Sequence, residues 1–155
     1  MLEYRLPVAV VMQRRVLANR WQEHSWRAME IVPDTETEAT RPVGESAEVS
    51  HRRYPGFVIE LFRDEAENYY LNLSAVEPCV FVMWRTEGGL AVPKTVTVSY
   101  GEAARMMDAD EHVDNVPMPD VMRPWVEGFV HKFYRPQSKQ RARPPSFRGA
   151  RRSDP

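Results

Sequence analysis

The alternation of apolar and polar positions divides the chain into a strand-rich stretch and a helical end. Leu6 to Met12 (LPVAVVM) is apolar on both alternating sets and rich in valine, which predicts a buried strand opened by Pro7, where a missing backbone donor is tolerated. Arg14 and Arg15 should end it. Trp21 to Val32 (WQEHSWRAMEIV) predicts a second strand with a bulge near Ser25, stopped by Pro33. Residues 34–50 hold acids, threonines, Pro42 and Gly44 and almost no large apolar side chain, the composition of an exposed, mobile loop. Phe57 to Arg63 and Asn68 to Leu73 read as two strands joined by a polar hairpin connection, Asp64 to Glu67. Cys79 to Arg85 (CVFVMWR) is apolar on both sets and predicts the centre of a sheet. A turn at Glu87, Gly88 and Gly89 leads into Pro93 to Tyr100, where Val96 and Val98 face one way and Thr95, Thr97 and Ser99 the other.

At Ser99 the period changes. Ser99 and Glu102 fit the S-x-x-E capping box, so a short helix should follow through about Asp108. Asp108 to Pro119 reads as a polar connection. Val121, Met122, Trp125, Val126, Phe129, Val130 and Phe133 then recur at three- and four-residue spacing, the stripe of an amphipathic helix from about Asp120 to Tyr134 that packs on the sheet. Asp120 is the candidate N-cap, and Pro124 is tolerable near the first turn. The predicted fold is α+β: about six mainly antiparallel strands, as a sheet or small open barrel, then a short helix and the amphipathic helix.

Composition refines this picture. With 155 residues, 43% of them hydrophobic, the chain suits one globular domain, placed at residues 1–134. The formal net charge of -1 conceals a division. From Arg135 onward there are seven basic residues and one acid, a net +6, whereas the rest carries 14 basic and 21 acidic residues, a net −7. Residues 135–155 also lack periodicity and contain Pro136, Pro144 and Pro145, so they read as a disordered basic tail. Lys139, Arg141, Arg143, Arg148, Arg151 and Arg152 are its candidate partner-binding residues, and the alternative is a tail lying on its own acidic body. The single cysteine excludes an internal disulfide framework. With no signal-peptide pattern and no apolar run near the ~20 residues of a membrane helix, a cytoplasmic protein away from membranes is expected.

Motifs of common chemistry are sparse. Neither phosphate-binding glycine pattern occurs, and Gly88 with Gly89 suits a hairpin better than a nucleotide loop. Asp108, Asp110 and Asp114 start like a calcium loop, but His112, Val113 and Pro119 occupy positions that need an oxygen ligand, a glycine and a glutamate. His24, His51, His112 and His131 show no paired metal-ligand spacing, so neither metal nor cofactor is expected. Cys79 opens the most apolar strand, where its pKa should rise and the thiol should serve the core. Asp64, Glu65 and Glu67 read as a solvated tip rather than an acid–base pair. The aromatics, Trp21, Trp26, Tyr54, Tyr69, Tyr70, Trp84, Trp125 and Phe129, read as core rather than as a platform for nucleic acid. Asn72 and Ser74 form a sequon by chance.

Taken together, PVAVVMQRR with RW and a second tryptophan (Pro7 to Trp26), YPGFVIELFR with NYYLNL (Tyr54 to Leu73), PCVFVMWR (Pro78 to Arg85), VSYGEA (Val98 to Ala103) and VPMP with WVEGFV (Val116 to Val130) resemble a proteobacterial family of unknown function. The resemblance covers most of residues 7–134. Members of that family are often encoded near molybdenum-dependent formate dehydrogenases and their accessory genes, and some are labelled molybdopterin-guanine dinucleotide biosynthesis proteins. The resemblance implies a cytoplasmic accessory role in molybdoenzyme maturation or assembly, with a molybdoenzyme subunit or accessory protein as partner, and no catalytic residues.

Three functional readings follow. The first is a non-enzymatic accessory or binding protein that uses its basic tail on a protein partner. The second is an enzyme of molybdenum-cofactor metabolism whose pocket brings a carboxylate or histidine together with Arg52, Arg53 or Arg85. The third is nucleic-acid binding through the tail, which would weaken steeply with salt.

Overall fold

The computed structural model describes residues 4–17, 24–33, 41–46 and 48–136. Seven strands among them form two antiparallel sheets. The valine run makes β1 (Arg5–Val16), which continues through Arg14 and Arg15 instead of ending there. It pairs with β2 (His24–Pro33) on one side and β4 (Val49–Glu60) on the other. A short β3 (Arg41–Glu45) adds to the outer edge of β4, giving the order β2-β1-β4-β3. Part of the predicted 34–50 loop is therefore sheet, and residues 34–40 lie outside the described residues.

The second sheet has the order β6-β5-β7. Its middle strand is β5 (Cys79–Glu87), as the doubly apolar run predicts, and it turns into β6 (Leu90–Thr97) through Gly88 and Gly89. Both glycines have positive φ, +59° and +80°, as a two-residue hairpin turn between paired Glu87 and Leu90 requires. The supposed polar connection before Pro119 contains β7 (His112–Pro117), an edge strand with a single buried residue, Val116. Val8, Val10, Met12 and Ile31 from the first sheet meet Val80, Val82 and Trp84 from the second in one core.

The largest departure from the periodicity is at Asn68 to Leu73, which is helical. A short 3-10 turn (Arg63–Glu65) leads into α1 (Ala66–Leu73), which buries Ala66, Tyr69 and Asn72 at three-residue intervals. There is no hairpin at Asp64 to Glu67. The predicted cap forms in its serine half: Glu102 N donates to Ser99 Oγ at 3.0 Å and starts α2 (Tyr100–Asp108), while Ser99 N donates to Thr97 Oγ1 at 3.0 Å rather than to Glu102. The amphipathic stripe forms α3 (Arg123–Phe133), with Pro124 in its first turn and Met122, not Asp120, at the N-cap position. Val126 and Phe129 are its buried residues. Phe129 meets Tyr4 and Tyr69 edge to face, with ring centroids 5.1 and 5.7 Å apart, so α3 closes over α1 and the start of β1. Arg135, the first residue of the predicted tail, folds back: its Nη1 donates to Tyr134 O at 2.9 Å, at the carbonyl end of α3.

Two irregularities flank β1 at neighbouring positions. In β4, Val8 pairs with Phe57 but Val10 pairs with Tyr54, so Pro55 and Gly56 together oppose Ala9. Gly56 has φ +92°, as the glycine of such a bulge requires. In β2, Val11 pairs with Glu30 and Met12 with Ala28, so Met29 is the extra residue and the predicted bulge near Ser25 lies four residues later. Side chains directly opposite each other share a face, so each extra residue reverses the alternation of its strand.

Candidate functional site

That reversal builds a pocket. Below the bulges the inner face of the first sheet is apolar: Val8, Val10 and Met12 on β1, with Phe57 and Ile31 beside them. Beyond them the same face carries Arg14 on β1, Trp26 on β2, and Ser50, Arg52 and Tyr54 on β4. These residues, with Met12, His51 and Leu90 of β6, line a cavity of about 60 Å³ at the end of the sandwich beside the Gly88–Gly89 hairpin. Among the described residues its lining contains two guanidinium groups and no carboxylate. The Arg14 Nε is sealed from solvent and has no hydrogen-bond partner among the described residues. Burial pushes the Tyr54 phenol above its ordinary value, and the positive charge of Arg52 acts against that shift.

The three candidate arginines, any one of which was expected beside a carboxylate or histidine, stand in different places. Arg52 is in the pocket; Arg53, next along β4, is buried on the opposite face of the sheet; and Arg85 is held elsewhere by Glu111. Arg85 Nε and Nη2 donate to the two Glu111 oxygens at 3.1 and 2.7 Å, which holds the carboxyl below its ordinary value and raises the guanidinium. His51 lies in the pocket wall, but its Nε2 is 3.2 Å from the Gln13 amide nitrogen, on the face away from Arg14.

Other predicted candidates have structural employment. Asp114 is not part of a calcium loop: Oδ2 accepts the Trp84 indole N–H at 2.9 Å and the Ala28 backbone N–H at 2.8 Å, tying the two sheets together. Glu65 Oε1 accepts from Ser99 Oγ at 2.6 Å and from Asn68 Nδ2 at 3.2 Å, joining the α1 start to the α2 cap rather than standing on a solvated tip. Cys79 is half-buried, and burial, with Glu77 adding to it, pushes its thiol up as its position predicts. Asn72 of the sequon is buried. Tyr69, Trp84 and Phe129 are core residues, whereas Tyr70 is exposed and stacks on Tyr134 with ring centroids 4.7 Å apart. No group of three or more potential metal ligands occurs among the described residues. Trp21 and the six candidate tail residues, Lys139, Arg141, Arg143, Arg148, Arg151 and Arg152, lie outside them.

Residues 7–143 match the family described as Protein of unknown function (DUF3305). The chain belongs to the DUF3305 family. The match takes in every strand except the first two residues of β1, and all three helices. No curated protein and no solved structure matches the chain. The pocket is reached through its chemistry alone, and its signal in the sequence is the YPG run at Tyr54 to Gly56. Proline followed by glycine inside a strand pattern marks a bulge, and the bulge determines which arginines face inward. From the sequence, Arg52 is only one alternative beside Arg53 and Arg85, and Arg14 is missed. None of the described helices is long and apolar enough to cross a membrane.

Proposed function

We propose that this DUF3305 protein is a non-catalytic accessory protein that binds a protein partner during maturation or assembly of a molybdoenzyme, formate dehydrogenase being the first to test. The observation that carries the non-catalytic part is the use made of its polar side chains. Asp114 and Glu65 each hold two hydrogen-bond donors from separate parts of the fold, and the Cys79 thiol is shifted away from its reactive form. The molybdoenzyme setting comes from the resemblance described above. Capture is assigned to Lys139, Arg141, Arg143, Arg148, Arg151 and Arg152, whose charges suit an acidic protein surface.

The test is genetic and direct. A host lacking the gene should lose formate dehydrogenase activity and molybdenum content in that enzyme. The full chain should restore both, and a chain ending at Pro136 should not. Purified full chain should also bind the enzyme in a salt-sensitive manner. Normal activity and metal content in the deletion strain would overturn the proposal.

A further inference from the structure

We propose that the pocket between the sheets is a binding site for an oxyanion, the carboxylate or phosphate group of a small molecule, gripped by Arg14 and Arg52. The site is separate from the tail-borne capture proposed above, and neither requires the other.

Three observations converge on it. Arg14 pairs with Ser50 and Met12 with Arg52, so the two arginines are diagonal neighbours on adjacent strands and the same face. At the ~7–8 Å typical of such diagonals, two long guanidinium side chains reach a common point. Two cations brought this close, with no carboxylate among the described lining residues, repel each other, and a shared anion removes the repulsion. The Arg14 Nε supplies a second, independent pointer: a charged donor, sealed from solvent, with no acceptor among the described residues. Turning the Arg14 side chain toward an oxyanion in the cavity gives that N–H its missing partner.

Size and shape narrow the ligand. At about 60 Å³ the space is on the order of four to six water positions, enough for one carboxylate or phosphate and too small for a whole nucleotide. The remainder of the ligand must lie outside that space, next to a lining that includes Trp26 and Leu90. Those side chains favour a flat, apolar continuation such as an aryl ring. The overall acidity of residues 1–134 also makes general attraction of anions an inadequate explanation, so selectivity has to come from the two forks.

The experiment uses the full chain and two probes, phenyl phosphate and benzoate, with benzamide as the neutral comparison and sodium chloride holding ionic strength constant. Calorimetry measures affinity, and nitrogen-proton NMR follows the arginine Nε–H signals. Saturable binding of at least one acid, none of benzamide, and a shift of the Arg14 Nε–H is the expected result. Which acid binds identifies the headgroup. Arg14→Gln and Arg52→Gln should each weaken binding at least tenfold. Leu90→Glu, which places a carboxylate on the opposite wall, should abolish it and keeps the test decisive where an arginine variant fails to fold. Absence of saturable binding by both acids, or equal affinity in folded Arg52→Gln or Leu90→Glu protein, overturns the site.

Discussion

Asn72 holds Cys79 with both ends of its side-chain amide: Nδ2 donates to Cys79 O at 2.7 Å, and Cys79 N donates to Oδ1 at 3.0 Å. The side chain behaves as an extra piece of strand, pairing with the first residue of β5 from the last turn of α1. A second Nδ2 bond, to Val98 O at 3.0 Å, extends the clamp to the chain entering α2. Asn72→Ala should therefore cost roughly 2–4 kcal/mol, since two carbonyls and one amide lose buried partners together. Asn72→Asp should cost at least as much, because a carboxylate cannot donate to either carbonyl. Urea unfolding compares them, and a loss under 1 kcal/mol for both (roughly one ordinary net hydrogen bond) would contradict the clamp.

Asp114 makes a comparable connection between the sheets. Asp114→Ala leaves the Trp84 indole and the Ala28 amide without their acceptor and should destabilise by about 2–4 kcal/mol. Asp114→Asn keeps one acceptor oxygen and should lose less. Equilibrium unfolding gives the magnitude, and a red shift in tryptophan emission reports the loosened indole. Equal stability of all three proteins would remove the bridge from the account of the fold.

Alkaline pH should unfold the protein by way of Tyr69. Its phenol is 2% exposed and its pKa is pushed up to about 12 from 10.0, by burial first, with Phe62 N–H donation acting against the shift and Glu65, Glu102 and Asp64 adding to it. The folded state therefore holds this proton more tightly than the unfolded chain. The resulting stability is complete below pH 10.0 and is lost as pH rises through about 12, a loss of up to about 3 kcal/mol. Tyr54 and Cys79 are shifted in the same direction, so Tyr69→Phe should reduce the slope of stability against pH without abolishing it. Unfolding midpoints measured between pH 9 and 12 check this, and an unchanged slope in the variant would refute the assignment.

The β5–β6 hairpin should tolerate asparagine at its first turn position and resist branching at the second. With φ +59° at Gly88 and +80° at Gly89, Gly88→Asn should cost a few tenths of a kcal/mol, and Gly89→Val about 1–2 kcal/mol. Thermal melts of the two variants decide it. Similar melts for both would mean that the turn relaxes to another conformation.

Much of this fold was legible in the sequence wherever one local rule acted alone. The valines of β1, the doubly apolar β5, the Gly88–Gly89 turn, the Ser99 cap and the α3 stripe fall in this class. Asn68 to Leu73 misled because two tyrosines in a short apolar run suit either period. What makes it a helix is distant: Phe129 against Tyr69, and the Cys79 and Val98 carbonyls waiting for Asn72. β7 was hidden for the opposite reason, since an edge strand with one buried residue and an inward Asp114 has the composition of a loop. The pocket was half legible. Arg52 stood out as a charge, but Arg14 resembled the end of a strand until the register showed that β1 passes through it.

The paired bulges have a further consequence for how this family varies. Which side chains face Arg14 is set by how β2 and β4 pair with β1, and each bulge absorbs one residue without changing it. Deleting Met29 or Gly56 would leave Ala28 opposite Met12, or Tyr54 opposite Val10, in regular pairing, so Trp26 in one case, and Tyr54, Arg52 and Ser50 in the other, would still face inward. Related chains that lack one residue at either bulge should therefore keep this pocket on a regular strand, and an alignment gap there would indicate a lost bulge rather than a different pocket.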